Sequence, residues 1–531
     1  MVAFFASGAA ALQHVFLKWL ALGLLLQTLP TNGFRSPKTS VVATKYSSSS
    51  LVKPRAARQL LCMAYYAGLD FGSGGVRLCV VDGAGAVVHE DRKGWQAKTR
   101  FNIVHDPQAW EDGLDELLCA LPPALAADLA ALCCSGTSSS VLAVDRATGL
   151  PSRPALMYNY NALVENPKGG AAMELIFQAS PEKHTVRSGA SCLAKMLAMH
   201  LQAPLRPTEI LAAQADYVSA WLRRDAAGRA EVVTDWNNAL KLGYDVQNLC
   251  YPDWLVGEAS PLGRIVEGRL PRVVAPGTRV GPVGSQTAAK YGLPPTCQVV
   301  AGTTDSIAAF IAAGGVAAKE GTGVTSLGTT LALKLRSAVP VEDADRGIYS
   351  HRLGDAWLVG GASNVGAGAL ADQGYTDMEE VARLMEKIDP ARDVDLDYYP
   401  LVGGQGERFP ENDPGKRAQY PGRPEEGGGR GRGRARFGAG AEEREEEEEG
   451  RARHLWGILQ GVARVEAAGY AALAELGATP VREVLTCGGG AANAKWARMR
   501  QRLLGVPVAA AADGEAAYGA ALLARGLDAP P

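Results

Sequence analysis

The chain has 531 residues, 47% of them hydrophobic, and its 54 basic and 56 acidic side chains leave a net charge of −2. This length predicts two or three domains, and the balanced charge excludes a strongly basic nucleic-acid binder. The nine cysteines form no C-x-x-C pair. They therefore indicate reduced thiols in a soluble compartment rather than a disulfide or zinc framework.

Residues 1–63 have the composition of a targeting leader. The first acidic residue of the chain is Asp70, and seven lysines and arginines and the run Ser47–Ser50 precede it. The stretch Val15–Leu26 is too short to span a membrane but suits the core of a signal peptide. We expect a cleaved leader that directs the protein to the plastid stroma, with a mitochondrial or cytoplasmic location as the alternative. The mature protein is expected to have no membrane segment.

The folded sequence begins near Ala64 with a strand, a glycine-rich tip and a second strand. Tyr65–Phe71 and Val76–Asp82 are apolar, and Gly72–Gly75 lies between them. A tip of this kind lets backbone N–H groups approach phosphate, and the Asp70 carboxylate at its base can hold Mg²⁺ through water. The alternative is a tight hairpin that needs glycine only for its backbone angles.

The same pattern recurs in the second half of the chain. Val324–Leu327 and Leu331–Leu335 are predicted strands, and the small polar tip Gly328–Thr330 joins them. The repeat predicts two similar halves. Hairpins that face each other across a cleft can hold the phosphates of ATP from both sides.

The stretch from Cys297 to Gly314 combines a buried strand, a polar turn and an apolar helix. Gly302 ends the strand, Thr303–Ser306 forms the turn, and apolar residues return at helical spacing. Asp305 in this turn is either a base at the mouth of a cleft or an N-cap that satisfies free N–H groups.

Two further loops have the composition of binding sites. Ser135–Ser140 is rich in hydroxyl groups, which hydrogen-bond polyols but are also common in ordinary turns. The turn Gly488–Gly490 lies between a predicted strand and the helix that holds Asn493 and Trp496. It either brings backbone close to a flat or charged ligand at a helix N-terminus or is a simple glycine turn.

Residues 424–453 contain an Arg/Gly tract and a block that is nearly all glutamate. Because the segment has almost no apolar residues, it is predicted to be a disordered insertion. An amphipathic helix is predicted directly after it, over Leu455–Leu476.

Together these motifs resemble the FGGY carbohydrate kinases, and among them the branch of plant and cyanobacterial D-ribulose kinases. The resemblance extends from Ala64 to about Gly526, apart from the insertion. It implies an α/β, actin/hexokinase-like (ribonuclease H-like) fold of duplicated domains with ATP and sugar in the cleft between them. The residues that carry it are Asp70-Phe71-Gly72, Gly136-Thr137-Ser138, Asn238–Tyr244, Gly302–Phe310, Thr325–Thr330, Gly360–Asn364, Leu396–Leu401, Gly406–Pro410 and Gly488-Gly489-Gly490.

The resemblance also implies a role for each matching residue. Asp305 would be the general base, Asp70 would lie near Mg²⁺ and the phosphorylated end of the sugar, and Ser138 would contact the sugar. Gly74 stands at a tip position where the family usually has a hydroxyl that contacts sugar. The expected ATP-binding residues are Gly72, Ser73, Gly328, Thr329, Asn364, Gly489, Gly490, Asn493 and Trp496, with the tryptophan covering the purine face.

The implied domains are 64–313, which binds sugar and holds the catalytic aspartate, and 314–531, which binds ATP. The implied reaction is ATP- and Mg²⁺-dependent phosphorylation of a ketopentose, D-ribulose to D-ribulose 5-phosphate. A D-xylulose kinase is the nearest alternative. A sugar- or nucleotide-binding protein with weakened catalysis is the alternative from another class, and the glycine at position 74 favours it.

Overall fold

The computed structural model of the protein describes residues 64–95, 104–315, 318–422 and 441–526. The predicted leader, residues 1–63, lies outside these ranges, and so do residues 423–440 of the predicted insertion. The eight cysteines within the described ranges are all free thiols, as the sequence predicted. No helix in this part of the chain is both long enough and apolar enough for a membrane crossing.

The strands are β1 Tyr65–Phe71, β2 Gly75–Val81, β3 Val87–Gly94, β4 Val104–His105, β5 Leu129–Gly136, β6 Val141–Asp145, β7 Ala155–Leu156, β8 Glu209–Ala213, β9 Val233–Asp235, β10 Arg272–Val274, β11 Arg279–Pro282, β12 Gln298–Thr304, β13 Thr322–Leu327, β14 Leu331–Ser337, β15 Tyr349–Leu353, β16 Ala356–Ser363, β17 Gln405–Glu407, β18 Asp413–Arg417, β19 Glu483–Cys487 and β20 Val508–Ala510.

The helices are α1 Gln108–Ala120, α2 Pro123–Ala127, α3 Ala162–Glu165, α4 Gly169–Ala179, α5 Cys192–Gln202, α6 Gln214–Leu222, α7 Trp236–Leu240, α8 Asp253–Val256, α9 Gly263–Val266, α10 Ser285–Tyr291, α11 Asp305–Phe310, α12 Gly368–Asp372, α13 Met378–Glu386, α14 Ala441–Glu475, α15 Ala494–Leu504 and α16 Ala516–Arg525. A wider turn, Ile311–Gly315, continues α11.

Five strands in each of two six-stranded sheets share one topology, in which β3-β2-β1-β5-β12 corresponds to β16-β14-β13-β19-β20. Their strand orders are β11-β12-β5-β1-β2-β3 and β15-β16-β14-β13-β19-β20. Each sheet begins with an antiparallel hairpin, which is β1–β2 in the first sheet and β13–β14 in the second. The first strand of each hairpin also pairs in parallel with a later strand: β1 pairs with β5, and β13 pairs with β19. The predicted duplicated, actin/hexokinase-like fold is therefore confirmed.

The two halves are joined near the end of β12. The buried side chain of Asn237 donates from Nδ2 to Thr303 Oγ1 at 3.1 Å and accepts from the backbone N–H of Arg352 at 3.0 Å. Trp236 Nε1 donates to the Arg352 carbonyl at 2.8 Å. Because Arg352 lies on β15 of the second sheet, these bonds link the strand before Asp305 to the other half of the molecule.

The last helix returns to the first half of the molecule. α16, although it ends the segment predicted as the C-terminal domain, packs on β1, β2, β5 and α11. A Cβ atom at Gly68 of β1 would overlap the Ala517 carbonyl, and one at Gly519 would overlap the Ala308 carbonyl. Close backbone approach between α16 and these elements therefore depends on glycine.

The prediction that residues 424–453 form one disordered insertion is wrong for residues 441–453, which are the start of α14. Glu448 pairs with Arg383 of α13 at 3.2 Å and with Lys387, directly after α13, at 3.4 Å. Ala452 is buried, and the Arg451 carbonyl accepts from the Tyr375 hydroxyl at 2.9 Å. The ion pairs of Glu448 and the buried turn at Ala452 stabilise this stretch, although it contains few apolar residues. Composition alone does not show these contacts.

Substitution of Gly519 by alanine should destabilise the protein, because the new methyl group would displace the carbonyl of Ala308 on α11. Overpacking of this kind costs about 1–3 kcal/mol, and thermal unfolding should show a Tm lower by several degrees. Gly170→Ala is the matched control, because no atom lies within 4 Å of a Cβ at that position. Equal Tm values for the two variants would contradict the packing of α16 on α11.

Candidate active site

The site lies at the edge where the parallel strands β1, β5 and β12 end. Asp70 is the register partner of Ser135, and Thr304 is the register partner of Gly136. Asp70 at the end of β1 and Asp305 directly after β12 therefore lie on either side of the end of β5. The carboxyl ends of parallel strands are where α/β sheets bind ligands.

Asp305 is the first residue of α11 rather than its N-cap. The N-cap residue is Thr304, whose side chain makes no capping hydrogen bond. Asp305 Oδ1 accepts a hydrogen bond from the Ser306 N–H at 2.7 Å, so Asp305 does satisfy one free N–H group of the first turn. Burial and the charge of Asp70 raise the pKa of Asp305 to about 7, although the hydrogen bond from Ser306 and the charges of Lys241 and Lys334 oppose the rise. A carboxylate with a pKa near neutrality is suited to accept a proton from a hydroxyl group.

Asp70 is 4% exposed, and its Oδ1 atom accepts a hydrogen bond from Ser135 Oγ at 2.9 Å. Burial raises the pKa of Asp70, and the bond from Ser135 opposes the rise. No group of three or more His, Cys, Asp or Glu within the described ranges forms a complete metal cage. The site nevertheless fits Mg²⁺, which is commonly held by one or two carboxylates with water and phosphate oxygens as the other ligands.

A second cluster of charged groups acts on Asp305 from the second sheet. Lys334 on β14 and Tyr349 on β15 flank Gly360 of β16. The Lys334 nitrogen lies 4.6 Å from the centre of the Tyr349 ring and 3.0 Å from Nδ1 of His351. The charge of Lys334 lowers the pKa of Tyr349 to about 8, although burial opposes it.

Lys241 approaches the same ring from the first half of the chain, with its nitrogen 5.3 Å from the centre of Tyr349. Sequence reasoning assigned no role to this lysine, to Lys334 or to Tyr349. Lys241 lies within the segment that carries the family resemblance, but nothing in the local sequence shows that it meets β14 and β15.

The first phosphate hairpin is a tight turn. The N–H of Gly72 donates to the Gly75 carbonyl at 2.9 Å, and the backbone and indole N–H groups of Trp95 donate to the carbonyls of Gly74 and Gly72 at 3.1 and 2.9 Å. A Cβ at Gly75 would overlap the Lys93 carbonyl, whereas one at Gly74 meets nothing within 4 Å. Of these two glycines, only Gly74 has room for a side chain.

The second phosphate hairpin is held by the chain that follows β16. The N–H groups of Ala367 and Gly368 donate to the carbonyls of Gly328 and Thr329, each at 3.0 Å. Gly328 and Thr329 of this tip line a cavity in the second half of the molecule.

The walls of that cavity are mostly apolar. Six of the nine predicted ATP-binding residues line it, namely Gly328, Thr329, Gly489, Gly490, Asn493 and Trp496. Leu327, Tyr375, Met378, Met385 and Leu459 are among the apolar residues of its wall. The purine ring of a nucleotide can bury its flat faces in such a cavity. The phosphates of the nucleotide would then extend toward the two hairpins.

The indole of Trp496 is a buried part of the cavity wall. It is 2% exposed, its Nε1 atom donates to the Leu459 carbonyl at 3.0 Å, and its ring packs against Gly490. Asn493 caps α15 by accepting a hydrogen bond from the Trp496 N–H at 2.9 Å. The structure therefore gives these two residues a supporting role in the cavity wall.

Asn364 is not among the residues that line the cavity. Its side-chain amide donates to the Gly406 carbonyl at 2.9 Å, and its backbone N–H donates to the buried carboxylate of Glu407 at 2.8 Å. A contact between Asn364 and ATP stays a prediction, and the observed bonds connect β16 to β17.

Ser138 lies in the loop that leaves β5 beside Asp70 and Asp305. It is partly exposed, whereas Thr137, Ser139 and Ser140 are buried. Ser138 is thus the most exposed residue of Thr137–Ser140, and its contact with the sugar stays a prediction.

Comparison with known proteins agrees with this geometry. Residues 323–525 match the family model for the FGGY family of carbohydrate kinases, C-terminal domain. The described fold is similar to solved structures of three kinases. Xylulose kinase from Rhodospirillum rubrum has 21% identity and a TM-score of 0.68, with 88% of this chain and 92% of that chain covered.

Gluconate kinase from Lactobacillus acidophilus has 16% identity and a TM-score of 0.69, with 88% and 89% of the two chains covered. Plasmodium falciparum glycerol kinase with ADP has 16% identity and a TM-score of 0.67, with 87% and 89% covered. The second half of the chain thus matches the C-terminal domain of FGGY carbohydrate kinases, and the fold is that of a two-domain sugar kinase. The named acceptors of the three kinases differ, so the fold alone does not define the acceptor.

Because Asp305 can accept a proton only when ionised, kcat/KM for the acceptor should fall as the pH drops through about 7. The charge of Lys334 lowers the pKa of Asp305, so Lys334→Met should move the midpoint of this fall to higher pH. The exposed residue Lys183 provides the control substitution, Lys183→Met. A pH–rate profile for Lys334→Met that overlays the parent profile would contradict the coupling.

Gly74→Ser should lower the KM for the sugar several-fold and leave the KM for ATP nearly unchanged. The side chain has room at this position, and one added hydrogen bond is worth about 0.5–1.5 kcal/mol. Gly75→Ser is the contrasting variant, since its side chain would overlap the Lys93 carbonyl and activity should be lost. An unchanged or raised sugar KM in Gly74→Ser would mean that Ser73 already supplies the contact.

Proposed function

We propose that this protein is an ATP-dependent kinase that phosphorylates a ketopentose, with D-ribulose as the favoured acceptor and D-xylulose as the second. The observation that carries the proposal is the position of Asp305. It is a carboxylate with a pKa of about 7 that begins α11 beside the hydroxyl-bearing loop at Ser138 and beside Asp70 at the base of the first hairpin.

In the proposed reaction an acceptor hydroxyl attacks the γ-phosphorus of ATP. Asp305 takes the hydroxyl proton as the new O–P bond forms and the bond from the γ-phosphorus to the bridging oxygen breaks, so that ADP leaves. Phosphoryl transfer has a loose transition state, and alignment by the two hairpins therefore matters more than a strong base. Asp305 then releases its proton to solvent.

Mg²⁺ and ATP have separate places in this arrangement. Asp70 is the residue that would hold Mg²⁺, through water, and the cation would neutralise charge on the phosphates. The apolar cavity behind Gly328 and Thr329 would hold the adenosine. The favoured acceptor rests on the resemblance to the D-ribulose kinase branch, and the xylulose kinases among the similar folds favour the second.

We also propose that the protein acts in the plastid stroma, because residues 1–63 lack acidic side chains and are rich in serine and basic residues. A fluorescent fusion to residues 1–63 should colocalise with plastids. Accumulation in mitochondria or in the cytoplasm would overturn this location.

The second candidate function is binding of a sugar or nucleotide by a protein of the same fold with weakened catalysis. It is favoured by Gly74, which provides no hydroxyl at the tip of the first hairpin. A kinase would convert ATP to ADP when its sugar is present, whereas a binding protein would not. ADP release should be measured with D-ribulose, D-xylulose, gluconate and glycerol; stimulation by a pentulose supports the kinase, and binding of a pentulose without ADP release supports the alternative.

Asp305→Asn should reduce the rate of sugar phosphorylation by about 10²–10⁴, because an amide cannot accept the hydroxyl proton. ATP binding, measured by calorimetry, should change little, since the adenosine cavity lies elsewhere. Asp397→Asn is the control, because the Asp397 side chain is 95% exposed. Activity of Asp305→Asn within threefold of the parent would remove Asp305 from the mechanism.

A further inference from the structure

Lys195 on α5 is fully buried, yet no carboxylate of the described residues forms an ion pair with it. Its exposure is 0%, and its ammonium group donates to the carbonyl oxygens of Ser139 at 2.7 Å and Met157 at 2.8 Å. Burial lowers its pKa to about 8, with Cys192 and Lys241 as the other titratable groups that act on it. Burial of an ammonium group without a counter-ion is costly, so its contacts with the two carbonyls have to offset that cost.

The two carbonyls belong to different loops, one after β5 and the other after β7. The same loops are joined by a second contact, in which the N–H of Tyr158 donates to Ser140 Oγ at 2.9 Å. Ser140 Oγ in turn lies 2.5 Å from Thr137 Oγ1. Lys195 therefore completes a polar connection between two segments that meet beside the cleft.

The loop after β5 is held in a strained conformation. Ser139 has a φ of 71°, a left-handed angle that is uncommon for residues other than glycine. Such conformations persist where the surrounding structure enforces them, and they occur often at functional sites. The carbonyl of this strained residue is the one that accepts the 2.7 Å bond from Lys195, and the partly exposed Ser138 directly precedes it.

We propose that Lys195 is a positioning residue for the sugar: it fixes the loops at Ser139 and Met157 so that the Ser138 hydroxyl faces the acceptor. The proposal rests on the proposed kinase function. Lys195 does not touch the acceptor in this account. It acts through the backbone of the loop that does.

Lys495 provides a control lysine beside the proposed nucleotide cavity. Its ammonium group donates to the carbonyls of Met385 at 2.7 Å and Glu386 at 3.1 Å, and Met385 lines the apolar cavity. Both lysines hold backbone carbonyls. One lies behind the acceptor loop, and the other lies behind the wall of the nucleotide cavity.

The test compares Lys195→Met with Lys495→Met in steady-state kinetics with the pentulose and ATP varied in turn. Two charge-assisted hydrogen bonds are lost in Lys195→Met, so the pentulose KM should rise about tenfold or more while the ATP KM stays within about twofold of the parent. Lys495→Met should leave the pentulose KM unchanged. If Lys195→Met fails to fold, Lys195→Gln, which keeps an N–H donor, replaces it under the same criteria.

A pentulose KM within twofold of the parent, or one that rises equally in both variants, would overturn the positioning role. Hydrogen exchange separates this failure from a failure of the proposed function, because it needs no turnover. The amides of Ser139, Ser140 and Tyr158 should exchange faster in Lys195→Met than in the parent, and those of Gly72–Gly75 should not. Unchanged exchange at the three amides would overturn the inference even if the protein is a kinase, and faster exchange would support it even if no pentulose is phosphorylated.

Discussion

The placement of two carboxylates side by side at one sheet edge is the constraint on which the site depends. The parallel pairing of β1, β5 and β12 places Asp70 and Asp305 on either side of β5. Asp70 is buried and Asp305 is partly exposed, and the charge of Asp70 raises the pKa of Asp305. This arrangement keeps the pKa of Asp305 near neutrality, as the proposed general base would need.

The rest of the molecule supports that edge from both sides. α16 packs against α11 through Gly519, and Asn237 connects Thr303 to Arg352 of the second sheet. Lys334 and Lys241 add positive charge near Asp305 from the two halves of the chain. The ionisation of Asp305 therefore depends on how the halves meet, as well as on its own turn.

Local patterns in the sequence predicted two hairpins with glycine-bearing tips, the Asp305 turn and the glycine turn before α15, and the structure contains all four. These features depend on residues that are neighbours along the chain. The overall duplicated fold followed from the resemblance, because the pairing of β1 with β5 and β12 joins strands that are far apart in sequence.

The features of the structure that the sequence did not predict depend on tertiary contacts. Lys195 and Lys334 are lysines within ordinary-looking segments, and only the packing of loops and strands shows that both are buried. The acidic start of α14 was predicted to be disordered, because its partners Arg383 and Lys387 lie on and directly after a separate helix. The docking of α16 on the first sheet likewise depends on Gly68 and Gly519, whose neighbours in space are distant in sequence.

The central proposal is that the protein transfers the γ-phosphoryl group of ATP to a sugar hydroxyl, whose proton Asp305 takes, rather than to water. ³¹P NMR of the protein with ATP, Mg²⁺ and D-ribulose, and in parallel with D-xylulose, follows that group directly. The account predicts that a phosphomonoester signal appears as ATP is converted to ADP, with at least one of the two sugars. Release of inorganic phosphate with no phosphomonoester, at a rate that neither sugar changes, would contradict it.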